Sequence, residues 1–399
     1  MANTTGSKTL LLGTRKGLVI LDRQSTGWQA REIAHAGVPV CYAAQDPRDG
    51  TLWASLDHGH WGPKLSRSRD RGATWTDILS LKYPKGARHI VQYLPTPDFD
   101  PMAPQGQPEY KDATVYKIWN LTFGAASQPG RLYAGTIPGG LFVSNDGGDT
   151  WELNRPLWNH ASRGGDLFAG EATSETRWGG TPASVDYGVF EPGIHSIVVD
   201  PRDPQHLFIA VSSAGVLESR DGGQTWVVRN KGMLNDYMPD PESEWGHDPH
   251  FVTACPGQPD HVWQQNHCGV FYSEDGAKSW KKVSQPEQGV HFGFPIAADA
   301  KDGRCAWVVP ARADMERMAI GGGLFVARTS DGGKSWQKLS RGLPQQHAYD
   351  IVYRHALDAA DDCVCFGSTT GNVYLSEDRG ETWQCLGNHF PPVYSVRFG

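Results

Sequence analysis

Histidines in this 399-residue chain recur at one kind of position, at or just before short apolar segments. The best-matched pair is His195 and His250, each six residues before the proline that ends its segment. Imidazole nitrogens that converge from separate segments can hold Fe, Mn, Zn or Cu and leave positions open for water or substrate. The candidate ligands for such a divalent transition metal are His195, His250, His267, His291 and His347. The same side chains also suit acid/base or anion-binding roles, or the polar lining of a water-filled channel.

Carboxylates and cations accompany these histidines. Glu191 and Glu287 begin Glu-x-Gly sequences shortly before His195 and His291. Carboxylates so placed can orient metal-bound imidazoles, or act as general acid and base on a glycoside. We expect Glu191 and Glu287 to be catalytic together with Arg312. The expected substrate-binding side chains are those of His58, His60, Arg15 and Arg88.

The elements that must position these residues are marked by an eight-residue repeat, Ser-x-Asp-x-Gly-x-Thr-Trp, called here the Asp box. Its copies end at Trp75, Trp151, Trp226, Trp280, Trp336 and Trp383, and a degenerate copy ends at Trp28. Asp can accept backbone N–H bonds within a tight turn, Gly tolerates positive φ, and Trp covers the turn. Identical turns in every repeat cannot all line one site, so the box predicts a structural turn.

Most repeats place two apolar strands and an alternating strand before the box, and a further strand after it. Four strands per box and seven boxes predict an all-β, seven-bladed β-propeller. The C-terminal segment PPVYSVRFG is predicted to complete the N-terminal blade and close the ring. We expect residues 1–399 to form this single domain, with insertions at about 84–114, 154–192 and 230–249.

In a propeller the first strand of each blade lines the central channel. The entrances to the first strands share one face, called here the top face, with the loops that join second and third strands. The Asp boxes lie on the opposite face. The three insertions and most of the candidate residues therefore belong to the top face, where we expect them to meet at the mouth of the channel.

The boxes resemble those of the BNR or Asp-box propellers of the sialidase-like superfamily, which includes sialidases, xyloglucanases and the photosystem II assembly factor. The resemblance covers essentially the whole chain and implies the fold, while this fold hosts unrelated activities. A true sialidase is expected to carry an N-terminal Arg-Ile-Pro motif. The nearest string here is Thr136-Ile137-Pro138, so sialidase activity is not expected.

Composition narrows the range of partners. The formal net charge of −7, without a block of Lys or Arg, gives no electrostatic reason to expect nucleic acid or an anionic membrane. A small-molecule substrate is favoured. The N-terminal apolar run contains only three leucines, too few for a signal peptide, and we expect a cytoplasmic protein with reduced thiols at its seven cysteines.

The leading hypothesis is an enzyme that acts on a small polar substrate at a histidine-rich, metal-assisted site on the top face. One alternative is a glycoside hydrolase that uses paired carboxylates. The other is a non-catalytic binding or assembly propeller that resembles the photosystem II assembly factor.

Overall fold

A computed structural model describes residues 9–78, 81–91, 109–163, 178, 192–237 and 240–399. These residues form an all-β protein. Its single α-helix in the described ranges is one turn, α1 (Arg155–Trp158), and three short 3-10 turns lie at Ala161–Arg163, Pro286–Gln288 and Ile320–Gly322. No helix in this part of the chain has the length and hydropathy needed to span a bilayer.

The strands are short, as expected for a chain punctuated by glycine-rich turns. In chain order the first strands are β1 (Thr9–Thr14), β2 (Gly17–Gln24), β3 (Gly27–Ala30), β4 (Val40–Gln45), β5 (Leu52–His58), β6 (Gly62–Ser68), β7 (Thr76–Asp77), β8 (Arg88–Val91), β9 (Glu109–Asp112), β10 (Lys117–Phe123), β11 (Leu132–Ile137), β12 (Leu141–Ser144) and β13 (Glu152–Leu153).

The second half of the chain continues the same pattern. Its strands are β14 (Ile194–Val199), β15 (Leu207–Val211), β16 (Gly215–Ser219), β17 (Val227–Val228), β18 (Pro249–Cys255), β19 (Gln258–Asn266), β20 (Gly269–Ser273), β21 (Lys281–Lys282), β22 (Gly293–Ala298), β23 (Ala306–Pro310), β24 (Val326–Thr329), β25 (Gln337–Leu339), β26 (Leu357–Ala360), β27 (Cys363–Gly367), β28 (Val373–Ser376), β29 (Gln384–Gly387) and β30 (Val393–Phe398).

Seven four-stranded antiparallel sheets form the blades, which confirms the predicted seven-bladed propeller. Blade 1 has the order β3-β2-β1-β30, and blades 2 to 7 begin at the inner strands β4, β10, β14, β18, β22 and β26. Each inner strand contacts the inner strands of both neighbouring blades, so the ring is closed. The separate hairpin of β8 and β9 lies in the first predicted insertion.

The C-terminal strand closes the ring as expected from the sequence. β30 pairs antiparallel with β1, with Leu12 opposite Val396. The largest apolar cluster spans this closure, because it joins Trp307 of blade 6 and Phe366 of blade 7 to Leu12 of blade 1. First and last strands therefore share one buried core.

The Asp boxes form tight turns between the third and fourth strands. In the box that ends at Trp151, the Oδ1 atom of Asp146 accepts the backbone N–H of Thr150 at 2.9 Å. The Thr150 hydroxyl donates to Oδ2 at 2.6 Å, and the Trp151 indole N–H donates to the carbonyl of Gly148 at 3.1 Å. Both carboxylate oxygens of Asp146 accept hydrogen bonds within the turn, which is the structural role that the sequence predicts.

A feature absent from the sequence prediction is a β-bulge near the start of most inner strands. In five blades one extra residue interrupts the register with the second strand. These extra residues are Tyr394, Cys41, Trp119, His195 and His250. In β22 the interruption spans Phe294 and Pro295. Because a bulge re-aims the side chain of its extra residue, equivalent positions of several blades present large side chains around the upper channel.

Candidate functional site

Three side chains with metal-binding atoms meet at the top face of blade 5. Asp248 directly precedes β18, His250 is the bulged residue of that strand, and His267 lies in the loop between β19 and β20. One ligand atom from each of the three lies within 4.8 Å of the others. Two imidazoles and one carboxylate form a donor set that suits divalent transition metals.

His250 is held in one orientation by the neighbouring blade. Its Nδ1 lies 2.6 Å from the backbone carbonyl oxygen of Gly293 in blade 6. A carbonyl only accepts hydrogen bonds, so Nδ1 carries the proton and Nε2 keeps its lone pair. Nε2 lies 3.5 Å from Oδ2 of Asp248. The ring of Phe294 stacks on the imidazole at 4.6 Å between centroids and limits its movement.

Asp248 and His267 are fixed to each other and to blade 4. The backbone N–H of Ser213, in the loop between β15 and β16, donates to Oδ1 of Asp248 at 3.2 Å. The backbone N–H of His267 donates to the carbonyl oxygen of Asp248 at 2.9 Å. Oδ2 of Asp248 therefore points toward the two imidazoles, 3.8 Å from Nδ1 of His267. Three blades thus position one cluster of three donors.

The ionisation of the cluster follows from its partial burial. Burial by itself would raise the pKa of Asp248, but the contact with His250 and the positive charge of Arg354 hold that pKa below its usual range. Burial lowers the pKa of His250, an effect that the Asp248 carboxylate opposes only in part. A carboxylate beside a neutral imidazole is therefore the expected state near neutral pH.

His195 lies on the channel axis rather than in the cluster. It is fully buried, and its ring packs edge-on against Trp119 at 5.4 Å. His355 of blade 7 donates from Nε2 to the carbonyl oxygen of His195 at 2.8 Å, across the channel. Burial, aided by Arg354 and His355, places the pKa of His195 well below its ordinary value. Nε2 of His195 has no hydrogen-bond partner among the described residues.

Arg354, just before β26, enters the same part of the channel from blade 7. Its guanidinium lies over the ring of Trp119 at 5.0 Å and over that of Phe294 at 5.4 Å. Trp119 and Phe294 belong to blades 3 and 6, so this side chain spans the bore. Burial lowers the pKa of Arg354, although Asp248 opposes the shift.

The other predicted histidines lie outside the cluster. His291 is half-buried and precedes β22; burial lowers its pKa, with a smaller contribution from Lys282. His347 is exposed in a turn with φ of 55°. His58 ends β5, and His60 is exposed beside Trp61 with 4.7 Å between the two rings. The structure thus brings His250 and His267 together, places His195 on the axis, and leaves the rest elsewhere.

The predicted catalytic and anion-binding residues are mostly on the surface. Glu287 is exposed in the 3-10 turn Pro286–Gln288. Arg312 is exposed and forms an ion pair with Glu316 at 2.6 Å. Arg15 is exposed at the turn between β1 and β2, and Arg88 is exposed on β8. Glu191 lies outside the described residues.

Sequence reasoning missed Asp248 and Arg354. The string Asp248-Pro249-His250 was a usable signal, because two donors two residues apart immediately before a channel strand can reach one ion. Arg354 carries no such signal. Its neighbours come from positions 235 and 60 residues away in the sequence, and only the closed ring brings them together.

A cavity of about 230 Å³ lies further along the channel, toward the Asp-box face. Asn120, Thr253, Asp358 and Arg397 are among the residues that line it. Burial raises the pKa of Asp358, while Arg397 donates to the Tyr42 hydroxyl at 3.2 Å. The Asp248 cluster does not line this cavity, so the two lie at different levels of the propeller.

No protein-family model matches the chain. A curated relative, the oligoxyloglucan-reducing end-specific xyloglucanase of Emericella nidulans, is 29% identical over 239 residues. The alignment covers 51% of this chain and 28% of the xyloglucanase. The chain is similar to a xyloglucanase over about half its length. It therefore matches little more than a quarter of that enzyme.

A solved structure supports the fold. An ancestral GH74 enzyme superposes with a TM-score of 0.53 at 14% identity, covering 88% of this chain and 38% of the enzyme. At this identity the likeness shows the propeller architecture alone. YCF48 from Cyanidioschyzon merolae gives a TM-score of 0.48 at 14% identity and covers 92% and 93% of the two chains. The expected BNR or sialidase-like membership and the assembly-factor alternative stay predictions.

Proposed function

We propose that this propeller is an enzyme whose Asp248, His250 and His267 hold a divalent transition metal at the top-face mouth of the channel. A small polar substrate would be activated there. The observation that carries the proposal is the convergence of one carboxylate oxygen and two imidazole nitrogens from two separate top-face segments, all within 4.8 Å of one another. The proposal keeps the metal, the small polar substrate and the top-face location of the hypothesis drawn from the sequence, and it names three ligands.

The donor geometry is close to what a metal needs. Zinc and similar ions bind imidazole nitrogen and carboxylate oxygen at about 2.0–2.2 Å, which sets ligand atoms roughly 3–4 Å apart. The distances of 3.5 and 3.8 Å from Oδ2 of Asp248 fall in this range. His267 is 29% exposed and lies in the loop between β19 and β20.

Second-sphere contacts support the same assignment. A metal-binding histidine usually donates its other ring N–H to a backbone carbonyl or carboxylate, which fixes the tautomer. His250 makes this bond to Gly293. Phe292 packs against both imidazoles at 5.6 Å and shields one side of the cluster from water. Asp248 contributes the negative charge that favours a cation.

Three protein ligands leave coordination positions for water or substrate. A metal bound in this way supplies a Lewis acid that polarises a substrate oxygen or lowers the pKa of a bound water. The chain itself orients the ligands and keeps Asp248 ionised. His195 is a further candidate for proton exchange with a substrate group, because its buried Nε2 has no hydrogen-bond partner among the described residues.

Metal analysis of the whole chain tests the proposal. We expect about one transition-metal ion per chain after exposure to Zn²⁺ or Mn²⁺ and removal of the excess. The double variant His250→Ala, His267→Ala should lose it, and His347→Ala, which removes an exposed histidine, should retain it. Wild-type protein that binds no metal, or a double variant that keeps it, rejects the proposal.

A second candidate function is hydrolysis of a glycoside by carboxylates. The supporting observation is the 29% identity to a xyloglucanase over half of the chain. Glu287 and Glu191 are the candidate acid and base. Turnover of aryl glycosides that Glu287→Gln or Glu191→Gln abolishes, while the exposed control Glu242→Gln leaves it intact, would favour this function. Absence of turnover in the wild type counts against it.

A further inference from the structure

The guanidinium of Arg354 lies in the channel with an unpaired N–H group. Its Nε atom is buried and has no hydrogen-bond partner among the described residues. Its close neighbours are aromatic faces, those of Trp119 and Phe294. Aromatic rings attract a cation, but they do not accept its N–H groups in the guanidinium plane.

Other shielded arginines of the described chain are satisfied. Arg48 forms an ion pair with Asp46 at 2.6 Å, and Arg67 forms one with Asp149 at 2.6 Å. Arg397, lower in the channel, donates to the carbonyl oxygens of Val396 and His355 at 2.6 and 2.9 Å. A buried N–H left without an acceptor costs free energy, because it loses water without a replacement. Arg354 differs from these counterparts because no described acceptor meets its buried Nε–H.

The acidic groups near Arg354 are already engaged. Asp248 uses Oδ1 for the Ser213 N–H and directs Oδ2 toward His250. Asp314 pairs with Arg317 at 2.6 Å, and the Arg317 guanidinium lies over the Phe294 ring at 5.3 Å from its centroid. Neither carboxylate accepts an N–H of the Arg354 guanidinium, although the ionised Asp248 offsets part of its positive charge. A monoanionic carboxylate is therefore better tolerated beside Arg354 than a dianionic phosphate.

We propose that Arg354 binds the carboxylate of a monoanionic substrate in the upper channel, between Trp119 and Phe294. The inference rests on the proposed function in one respect, since it defines the class of substrate brought to the Asp248 cluster. The planar guanidinium gives two parallel N–H donors for a carboxylate. The flanking rings hold the guanidinium in place and favour a ligand with a flat or apolar body.

Ligand-detected NMR and calorimetry with benzoate and benzamide test the assignment. The two probes have nearly the same shape, and only benzoate is charged. With chelator-treated wild-type protein we expect benzoate to bind at least ten-fold more tightly than benzamide. Arg354→Met should abolish the difference. Arg304→Met, which removes an exposed arginine already paired with Asp302, should retain it.

Two further measurements complete the test. Arg354→Lys keeps the positive charge but loses the planar guanidinium, so its affinity for benzoate should lie between those of the wild type and Arg354→Met. It also replaces Arg354→Met in the test if that variant does not fold. Phenyl phosphate should bind more weakly than benzoate. Equal binding of benzoate and benzamide to the wild type, an unchanged preference in Arg354→Met, or tighter Arg354-dependent binding of phenyl phosphate would overturn the assignment to a carboxylate.

This experiment separates the two proposals because it is carried out without metal. Benzoate selectivity that depends on Arg354 in a protein that binds no metal would support the anion site and reject the metal site. Stoichiometric metal binding that depends on His250 and His267, without a preference for benzoate over benzamide, would support the metal site and reject the anion site.

Discussion

His250 donates a hydrogen bond from Nδ1 to the carbonyl oxygen of Gly293, with 2.6 Å between the two atoms. The bond joins the inner strand of blade 5 to that of blade 6. It determines which ring nitrogen of His250 faces Asp248, so the donor properties of the cluster depend on the packing of two neighbouring blades. A site built in this way is formed only when blades 5 and 6 pack against each other.

Metal binding should therefore stabilise the folded chain. A ligand that binds only the native state at 100 times its dissociation constant adds about 2.7 kcal/mol. We expect Zn²⁺ or Mn²⁺ to raise the melting temperature and a chelator to lower it. Asp248→Asn should lose this response, because its side-chain oxygen can still accept the Ser213 N–H but the negative charge is gone. Thermal unfolding followed by circular dichroism measures the effect.

The matched control is His347→Ala, whose imidazole is exposed and outside the cluster. Its metal-dependent shift should equal that of the wild type. An Asp248→Asn variant that responds to metal like the wild type would show that the ion binds elsewhere.

The Asp boxes should make the protein sensitive to acid. Hydrogen bonds from the Thr150 hydroxyl and backbone N–H lower the pKa of Asp146 from 3.8 to about 2, and Asp221 behaves alike because of Thr225. A carboxyl with a depressed folded-state pKa stabilises the fold above pH 3.8, and this contribution is lost as pH falls toward 2. Urea unfolding at pH 7, 4 and 2.5 should show most of the loss between the last two values.

Substitution identifies the source of the acid sensitivity. Asp146→Asn should be less stable at pH 7 and should lose less stability than the wild type between pH 4 and 2.5. Asp362→Asn, an exposed position outside any box, should follow the wild-type profile. Identical acid profiles for Asp146→Asn and the wild type would show that the box carboxylate does not carry the effect.

The fold could be predicted from the sequence because the residues that specify each turn are close together in the chain and recur in every repeat. Each Asp box, such as Ser144 to Trp151, specifies its turn through side chains within eight residues. The unpaired first and last strands then required one another, and β30 indeed pairs with β1. Repetition also fixed the number of blades and thereby the face on which His250 and His267 lie.

The details of the site were less accessible because they depend on contacts between blades. A β-bulge at His195 and another at His250 place both side chains in the upper channel. The residue types in those strands do not predict these bulges. The counter-charges of the site come from Asp248 and Arg354, which are 106 residues apart. From the sequence alone, an exposed arginine such as Arg15 was therefore as good a candidate for substrate binding as Arg354.

A buried polar network in blade 4 should be important for stability but not for metal binding. His206 lies between two carboxylates, with Nδ1 2.9 Å from Asp200 and Nε2 2.7 Å from Glu218. All three side chains are buried. Removal of one partner from a buried ionic network typically costs about 3–5 kcal/mol, because the remaining charges lose their partner. We expect His206→Ala to lose an amount of this size in urea unfolding.

His389→Ala, which removes an exposed imidazole, provides the comparison and should change stability by less than about 0.5 kcal/mol. His206→Ala should bind metal as the wild type does under conditions where it is folded. A loss below about 1 kcal/mol would mean that the arginines already paired with the two carboxylates, Arg202 and Arg229, suffice to hold them.

Ring closure by the C-terminal strand should be a major source of stability. Val396 is fully buried in β30, opposite Leu12 of β1, and belongs to the cluster that joins blades 6, 7 and 1. Val396→Ala removes buried apolar groups and leaves a cavity, which should cost about 2 kcal/mol. Val227→Ala makes the same chemical change at an outer strand where the side chain is 50% exposed, and should cost less than about 0.5 kcal/mol. Equal losses in urea unfolding would show that β30 packs no more tightly than the outer edge of a blade, because the two variants differ only in where the methyl groups are removed.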